Sequence, residues 1–377
     1  MTPERFRKIL TREDRSLSAF GWRLLLETVR PLYAVGVWFR NRNFDRDPRK
    51  ITHAAVPVLS IGNLTLGGTG KSPAVLRIAQ ELESMGLKVA VLSRGYRAKE
   101  QDPGVRTRTE TQDHAANSVS AGHLNDEGKE MARRLPNAVF LQNPNRCESA
   151  CRAVEEFGAQ ILLLDDGFQH RKLFRNGDIV LIDTEEPFGL TGRLFPCGTL
   201  REPMQSLARA DVVVLTHSER LSLRERHSLQ EELAERFPSP KPRLWVESVH
   251  CPSALTDTRG NILPKEDFQE KRLGAFCGIG KPAGFFRSLD EFGLAVHAEK
   301  IYPDHHPFGT KEIAELTQWA QENRLDALVC TEKDAVKLPP ALPTGTPIAV
   351  LRIELEFLEG KDAFLRWLRK IALQTEK

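Results

Sequence analysis

The chain has 377 residues, 40% hydrophobic and 28% charged, with a net charge of +3. That balance suits a globular protein with enough apolar material for a sizeable core, and it argues against a general nucleic-acid binder, so no nucleic-acid partner is expected. The six cysteines lack metal-ligand spacing and read as the reduced thiols of a cytoplasmic protein.

The N-terminal end is basic. Residues 1–50 hold twelve Lys/Arg and six Asp/Glu, a balance of +6 that leaves −3 on the rest. Residues 1–15 are charged and lack the apolar centre of a signal peptide. The longest apolar stretch nearby, 31–39, falls short of the about 20 residues that span a bilayer. Residues 16–42 read as one or two amphipathic helices, with Leu17, Phe20, Leu24, Leu25, Val29 and Leu32 at helical spacing and Pro31 expected to kink or divide them. Trp22, Tyr33, Trp38 and Phe39 alternate with Arg23, Arg30, Arg40 and Arg42. Two readings compete: a helix lying in a membrane interface, and a helix packed on its own domain with its arginines in water. Residues 1–50 are therefore expected to form a basic helical segment and a candidate membrane-surface anchor.

From Val56 the pattern alternates strand and helix. Apolar runs at 56–61, 88–92, 138–141, 161–164, 178–182 and 211–215 are separated in part by helical patterns at 72–85, 126–134 and 148–157. Buried strands alternating with helices predict a parallel sheet covered on both faces over 51–240, an α/β domain made P-loop NTPase-like by the Gly70-Lys71-Ser72 turn after its first strand. The stretch 97–124 is long and polar, as functional or mobile loops are. A Pro-rich linker at 238–242 opens a second, smaller α/β domain over 241–377. Its strands are expected at 243–249, 273–277, 294–301, 327–330 and 348–353, and its helices at 283–292, 311–323 and 361–373.

The first strand runs into Gly62-Asn-Leu-Thr-Leu-Gly-Gly-Thr-Gly-Lys-Ser-Pro73. A phosphate loop has the form G-x-x-x-x-G-K-[ST] between a strand and a helix. Here Thr65 stands where the first Gly belongs; the remainder fits. Thr65, Leu66, Gly67, Gly68, Thr69, Gly70, Lys71 and Ser72 are the predicted ATP-binding residues. The glycines let backbone amides curl around phosphate oxygens, and the helix from Ser72 turns its positive end towards them. Lys71 would reach the β- and γ-phosphates, and the Ser72 hydroxyl would bind Mg²⁺.

A second apolar strand ends in Asp165-Asp166-Gly-Phe-Gln-His170. Carboxylates at that position of P-loop enzymes hold Mg²⁺ or its water shell. One of the two acids is expected to cap a turn instead. Asp126 heads a helix, as a base facing the γ-phosphate or as a plain N-cap. Asp304-His305-His306 suggests a histidine oriented by a carboxylate for proton transfer. Arg94, in Ser93-Arg-Gly-Tyr96, and Arg201, in Leu200-Arg-Glu-Pro203, suit phosphate recognition. With Gln169 they are candidate substrate contacts.

Together these motifs, with Phe276-Cys-Gly-Ile-Gly280 and Thr331-Glu-Lys-Asp-Ala335, resemble the tetraacyldisaccharide 4′-kinase (lipid A 4′-kinase) family over nearly the whole chain. The resemblance implies a two-domain α/β kinase with a β hinge. It would transfer the γ-phosphate of ATP to the 4′-hydroxyl of an acylated glucosamine disaccharide 1-phosphate. The setting would be the cytoplasmic face of the inner membrane of a Gram-negative bacterium. Asp126 matches the family's proposed base, acting with His305. Asp165, Asp166 and Glu202 match residues near the metal and nucleotide. Asn125 departs from the family's Gly, and Ser72 from its commoner Thr. Two alternatives compete with this reading. A P-loop GTPase or metal-insertion switch reads guanine with N/T-K-x-D, but Thr216-His-Ser-Glu219 carries no lysine. A non-catalytic, nucleotide-gated membrane-binding module would leave Asp126, Asp165 and Asp166 idle.

Overall fold

The computed structural model describes residues 3–95, 106–108, 124–240 and 243–373. The polar stretch 97–124 thus lies outside the described residues except for 106–108 and Leu124, and Tyr96 lies outside them too.

Two helices open the chain, α1 (Pro3–Leu10) and α2 (Leu17–Arg46). The Ser16 hydroxyl caps α2 by accepting from Ala19 N–H. The helix continues through Pro31, so the expected division is absent. Ties on both sides of the proline fasten the helix to the body: Glu27 pairs with Arg193, and the Tyr33 hydroxyl donates to Arg201 O at 2.9 Å.

The larger half follows as β1 (Val58–Asn63), α3 (Lys71–Ser84), β2 (Val89–Ser93), β3 (Arg106–Arg108), α4 (Asp126–Arg134), β4 (Val139–Gln142), α5 (Arg146–Glu155), β5 (Ile161–Asp165), β6 (Gly177–Asp183), β7 (Val212–Thr216) and α6 (Leu223–Arg236). The smaller half contributes β8 (Leu244–Thr256), β9 (Ile262–Leu263), α7 (Glu266–Gln269), β10 (Leu273–Cys277), α8 (Pro282–Glu291), β11 (Val296–Ile301), α9 (Thr310–Glu322), β12 (Ala327–Thr331), α10 (Glu332–Ala335) and β13 (Ile348–Glu359). Helix α11 (Lys361–Ala372) comes last.

The strands form one sheet in the order β11-β10-β12-β13-β8-β7-β6-β1-β5-β2-β4-β3, with β9 beside β8. Pairings from β7 to β4 are parallel, as the apolar runs predicted. Alternate residues feed opposite layers. Leu59, Ile61, Ile179 and Leu181 meet Val75, Ile78 and Leu82 of α3 on one face. On the other face, Val180 and Ile182 meet Leu229 and Leu233 of α6, while Val58, Leu162 and Leu164 meet Ala150 and Ala153 of α5.

The halves share two long strands. Strand β8 runs parallel to β7 over Leu244–Glu247, then pairs antiparallel with β13 from Glu247↔Glu359 to Thr256↔Val350. Register shifts at Arg352/Ile353 and Phe357/Glu359 bend this ribbon, as bulges do. It is the expected β hinge. Helix α11 corrects one expectation. The sequence grouped it with the smaller unit, yet Phe364 and Leu368, both 0% exposed, lie in the core of the larger half. Burying two such side chains is worth roughly 3–6 kcal/mol, which fastens the chain's end back onto the first sheet.

Candidate active site

The strands of the larger half deliver their carboxyl ends to one edge, where open α/β sheets bind ligands. Strand β1 ends in the glycine loop. Asn63 Nδ2 donates to Thr69 Oγ1 at 2.9 Å, and the Leu66 amide donates to Thr199 O at 2.6 Å, so the loop is held from both sides. Gly67 and Gly70 have φ of 120° and 76°, which glycine alone adopts without strain. Apart from the chain neighbours, no described atom lies within 4 Å of where a Cβ on Gly67 or Gly68 would stand, so open space borders both glycines. Behind Gly70 the space is filled: a Cβ there would come within 2.3 Å of His250 Nε2. Gly70 precedes the first residue of α3, Lys71, whose Nζ lies 3.6 Å from Asp166 Oδ1 and 3.5 Å from Asn63 Oδ1.

The paired acids at the end of β5 differ sharply. Asp165 is buried and makes no side-chain hydrogen bond among the described residues. Burial, with the charges of Glu127 and Asp166, pushes its pKa up to about 7. Asp166 sits at φ 52° and accepts from Arg201 Nη1 at 2.7 and 2.8 Å. Burial works against its ionisation, but Lys71 and Arg201 outweigh it and bring its pKa down.

A family model for tetraacyldisaccharide-1-P 4'-kinase matches residues 22–372. The chain belongs to this family. The tetraacyldisaccharide 4'-kinase of Anaeromyxobacter dehalogenans (strain 2CP-C) is 40% identical over 326 residues, 86% of this chain and 84% of that protein. That of Syntrophus aciditrophicus (strain SB) is 38% identical over 361 residues, 93% and 92% of the two chains. The crystal structure of LpxK from Aquifex aeolicus in complex with ATP matches with a TM-score of 0.72 at 27% identity, over 93% of this chain and 99% of that one.

Within this family member, α4 carries Asp126 to the same edge. Asn125 is the cap: its Oδ1 accepts from Gly128 N–H at 2.9 Å. Asp126, one position later, is thereby freed from capping, because the Asn125 side chain supplies the helix cap. Gln142, at the end of β4, fixes the turn by accepting from Asn125 N and donating to Asn125 Oδ1 and Ser93 Oγ. Asp126 Oδ2 lies 3.1 Å from Lys337 Nζ of the smaller half. His305 stands in the loop after β11, its Nε2 3.3 Å from Lys333 Nζ and 3.9 Å from Asp304 Oδ2. The two residues are thus brought to one short segment of the smaller half, each beside its own lysine.

Glu202 has other partners than a metal. It is fully buried; Arg40 and Asn41 of α2 and Arg209 donate to its two oxygens. A carboxylate so occupied neutralises guanidiniums and fastens α2 to the body, which corrects the expectation that it lies beside the cation. Gln169 donates to Asn63 O at 2.8 Å, and its buried Oε1 has no partner among the described residues. Arg94 is exposed just past β2. The sequence reading passed over Arg146, which opens α5 and is 7% exposed. Burial and Arg94 work against its charge, and Asp166 and Asp165 support it. The signal was an arginine directly after a strand end, in Gln142-Asn-Pro-Asn-Arg146.

A further tie crosses between the halves. Lys281, just before α8, donates to Asp183 Oδ2 at 2.8 Å, and His217 Nδ1 lies 3.1 Å from Asp183 Oδ1. Burial opposes the charge of Asp183, but these partners hold its pKa well below the usual carboxylate range. The His217 ring in turn lies 4.4 Å from that of His250.

Proposed function

We propose that the protein transfers the γ-phosphate of ATP to the 4′-hydroxyl of a tetraacylated glucosamine disaccharide 1-phosphate, a step of lipid A biosynthesis. The reading is carried by one convergence: the glycine loop with Lys71, the Asp165–Asp166 pair and Asp126 meet at one sheet edge in a chain of this family. In the reaction the hydroxyl oxygen bonds to the γ-phosphorus as the bond from phosphorus to the β–γ bridging oxygen breaks. ADP leaves with that electron pair, and the hydroxyl proton passes to Asp126. Residues 65–72 hold the phosphates through backbone amides, and Lys71 meets the charge that spreads over the transferred group.

Asp165 fits a divalent cation: a buried carboxyl without a side-chain hydrogen bond among the described residues, its pKa raised to about 7, gains most from a positive neighbour. With Ser72 it would hold Mg²⁺, which supplies electrostatic stabilisation of the β- and γ-phosphate oxygens. Asp166 then has a different task, orienting Arg201 and Lys71. Arg94, Arg146, Arg201 and Gln169 are the polar groups placed to bind the acceptor and its phosphate.

Helix α2 supports a membrane-surface setting, at the cytoplasmic face of the inner membrane. Leu17, Phe20, Leu24, Leu32, Val35 and Phe39 follow one another three, four or eight apart and are 51–91% exposed. Its other side is held to the larger half through Arg40 and Asn41. Both readings of the segment therefore find support, one on each side of the helix. Among the described residues no helix is long and apolar enough to cross a membrane.

The test of the catalytic assignment is kinetic. Asp126→Ala and His305→Ala should each lower kcat far more than they raise the KM for ATP. The double variant should be little worse than either, because groups acting as a unit are non-additive. Fully multiplicative losses would show that the two act separately, and near-normal activity of Asp126→Ala would remove it as the base.

A further inference from the structure

The motif Thr331-Glu-Lys-Asp-Ala335 stands out in the sequence, and the reaction described above gives it no task. We propose that segment 331–337 is the platform that orients the two proton-handling side chains, Lys337 positioning Asp126 and Lys333 positioning His305. The proposal rests on the reading of Asp126 and His305 given under the proposed function.

The geometry is specific. Lys333 lies in α10 and Lys337 in the turn that follows it, where the Lys337 amide donates to Asp334 O at 3.0 Å, so one short segment carries both lysines. Lys337 Nζ lies 3.1 Å from Asp126 Oδ2 and donates to His306 O at 3.1 Å. Lys333 Nζ donates to Asp304 Oδ1 at 2.9 Å and lies 3.3 Å from His305 Nε2. A lysine donates only, so it fixes that ring nitrogen as the acceptor.

The platform itself is rigid. Asp334 is fully buried, and its Oδ2 accepts from Thr331 Oγ1 at 2.7 Å and from the Gly278 amide at 2.9 Å. Gly278 O accepts in turn from His305 N–H at 3.1 Å. The turn bearing the lysines and the loop bearing the histidine are therefore built on one frame. Lys337 is only 11% exposed, and its charge is supported by Asp126 and by Asp334, whose Oδ1 lies 3.7 Å away.

Asp126 belongs to the larger half and Lys337 to the smaller. The contact exists only while the halves are together, so the base is aimed when the hinge is closed. A half-exposed carboxylate left without its lysine is solvated by water at little cost to stability. Its direction is what would be lost, and misplacement of a catalytic group by about 1 Å costs roughly a hundredfold in rate.

The test uses the full chain with ATP and the disaccharide acceptor. Lys337→Met should lower kcat by roughly a hundredfold, with the KM for ATP within about twofold. Lys337→Arg should recover most of the loss. In an Asp126→Asn background, Lys337→Met should cost less than about threefold more, since a positioning group has nothing left to position. Normal kcat in Lys337→Met beside an inactive Asp126→Asn would overturn the proposal and leave the base intact. A full further loss in the Asp126→Asn background would overturn it as well, because the lysine would then act elsewhere. An active Asp126→Asn would remove the base itself and the proposal with it. Should Lys337→Met fail to fold for want of a cation beside Asp334, Lys333→Met in the wild-type and His305→Ala backgrounds carries the same comparison.

Discussion

Gly70 joins the phosphate loop to α3, and two independent constraints meet there. Its φ of 76° is left-handed, a region where a side chain costs roughly 1–2 kcal/mol. A Cβ on it would also lie 2.3 Å from His250 Nε2 and 2.4 Å from Cε1. The ring has little room to retreat: its nitrogens are buried, and the His217 ring lies 4.4 Å away. Overpacking of this kind costs about 1–3 kcal/mol. Gly70→Ala should therefore destabilise the protein by roughly 2–5 kcal/mol and weaken ATP binding, since the amides around Gly70 must shift. Denaturant unfolding and ATP titration measure both effects. His250→Ala removes the clash and leaves the backbone strain, so in that background Gly70→Ala should cost only the roughly 1–2 kcal/mol of the left-handed position. An equal cost in both backgrounds would refute the steric reasoning. No loss in the first would refute both constraints.

His250 should also mark the acid side of the stability profile. Burial, then the neighbouring His217, lower its pKa from the usual value near 6.5 to about 3, so the fold holds it neutral. Its contribution is whole above pH 6.5 and is lost as the pH falls towards 3, amounting to about 2 kcal/mol by pH 5. Between pH 7.5 and pH 5 the unfolding free energy should fall by about 2 kcal/mol more in the wild type than in His250→Leu, a comparison that cancels the other titrating groups common to both; the same change in both would contradict it. At the other end of the chain, removing residues 1–46 should weaken binding to anionic liposomes, and high salt should weaken binding of the intact chain. Equal partitioning of both forms would leave α2 as a helix that serves its own domain alone.

Most strands of the larger half, with β10 and β12, were legible because each is a short apolar run that fills both faces of a parallel sheet; only the first part of β8 and of β13 was, and the short strands β3 and β9 escaped. The phosphate loop and the paired acids were legible because their chemistry is local in sequence. What escaped was non-local. Helix α6 buries Leu229 and Leu233 among charged residues, so its apolar period is faint, although Ser222 and Glu225 form a capping box at its start. The place of α11 depends on Phe364 and Leu368 meeting strands that begin some three hundred residues earlier. Glu202 carried a metal expectation because its motif says nothing of Arg40 and Asn41, which reach it from α2. Likewise no spacing in the sequence sets Lys337 beside Asp126.

Phosphate transfer from ATP to a lipid-linked sugar is the activity expected of this site. Its most direct test is to supply ATP labelled on the γ-phosphate, with GTP in parallel, together with a tetraacylated disaccharide 1-phosphate, and to follow label into the lipid. Lys71 lies against Asp166 at the mouth of the glycine loop, and removing it takes away the charge that stabilises the transferred group. The expected result is label on the disaccharide from ATP, poor transfer from GTP, and a loss of roughly a hundredfold or more in Lys71→Ala with the fold intact. Unlabelled disaccharide with the intact protein, or undiminished turnover in Lys71→Ala, would contradict the account.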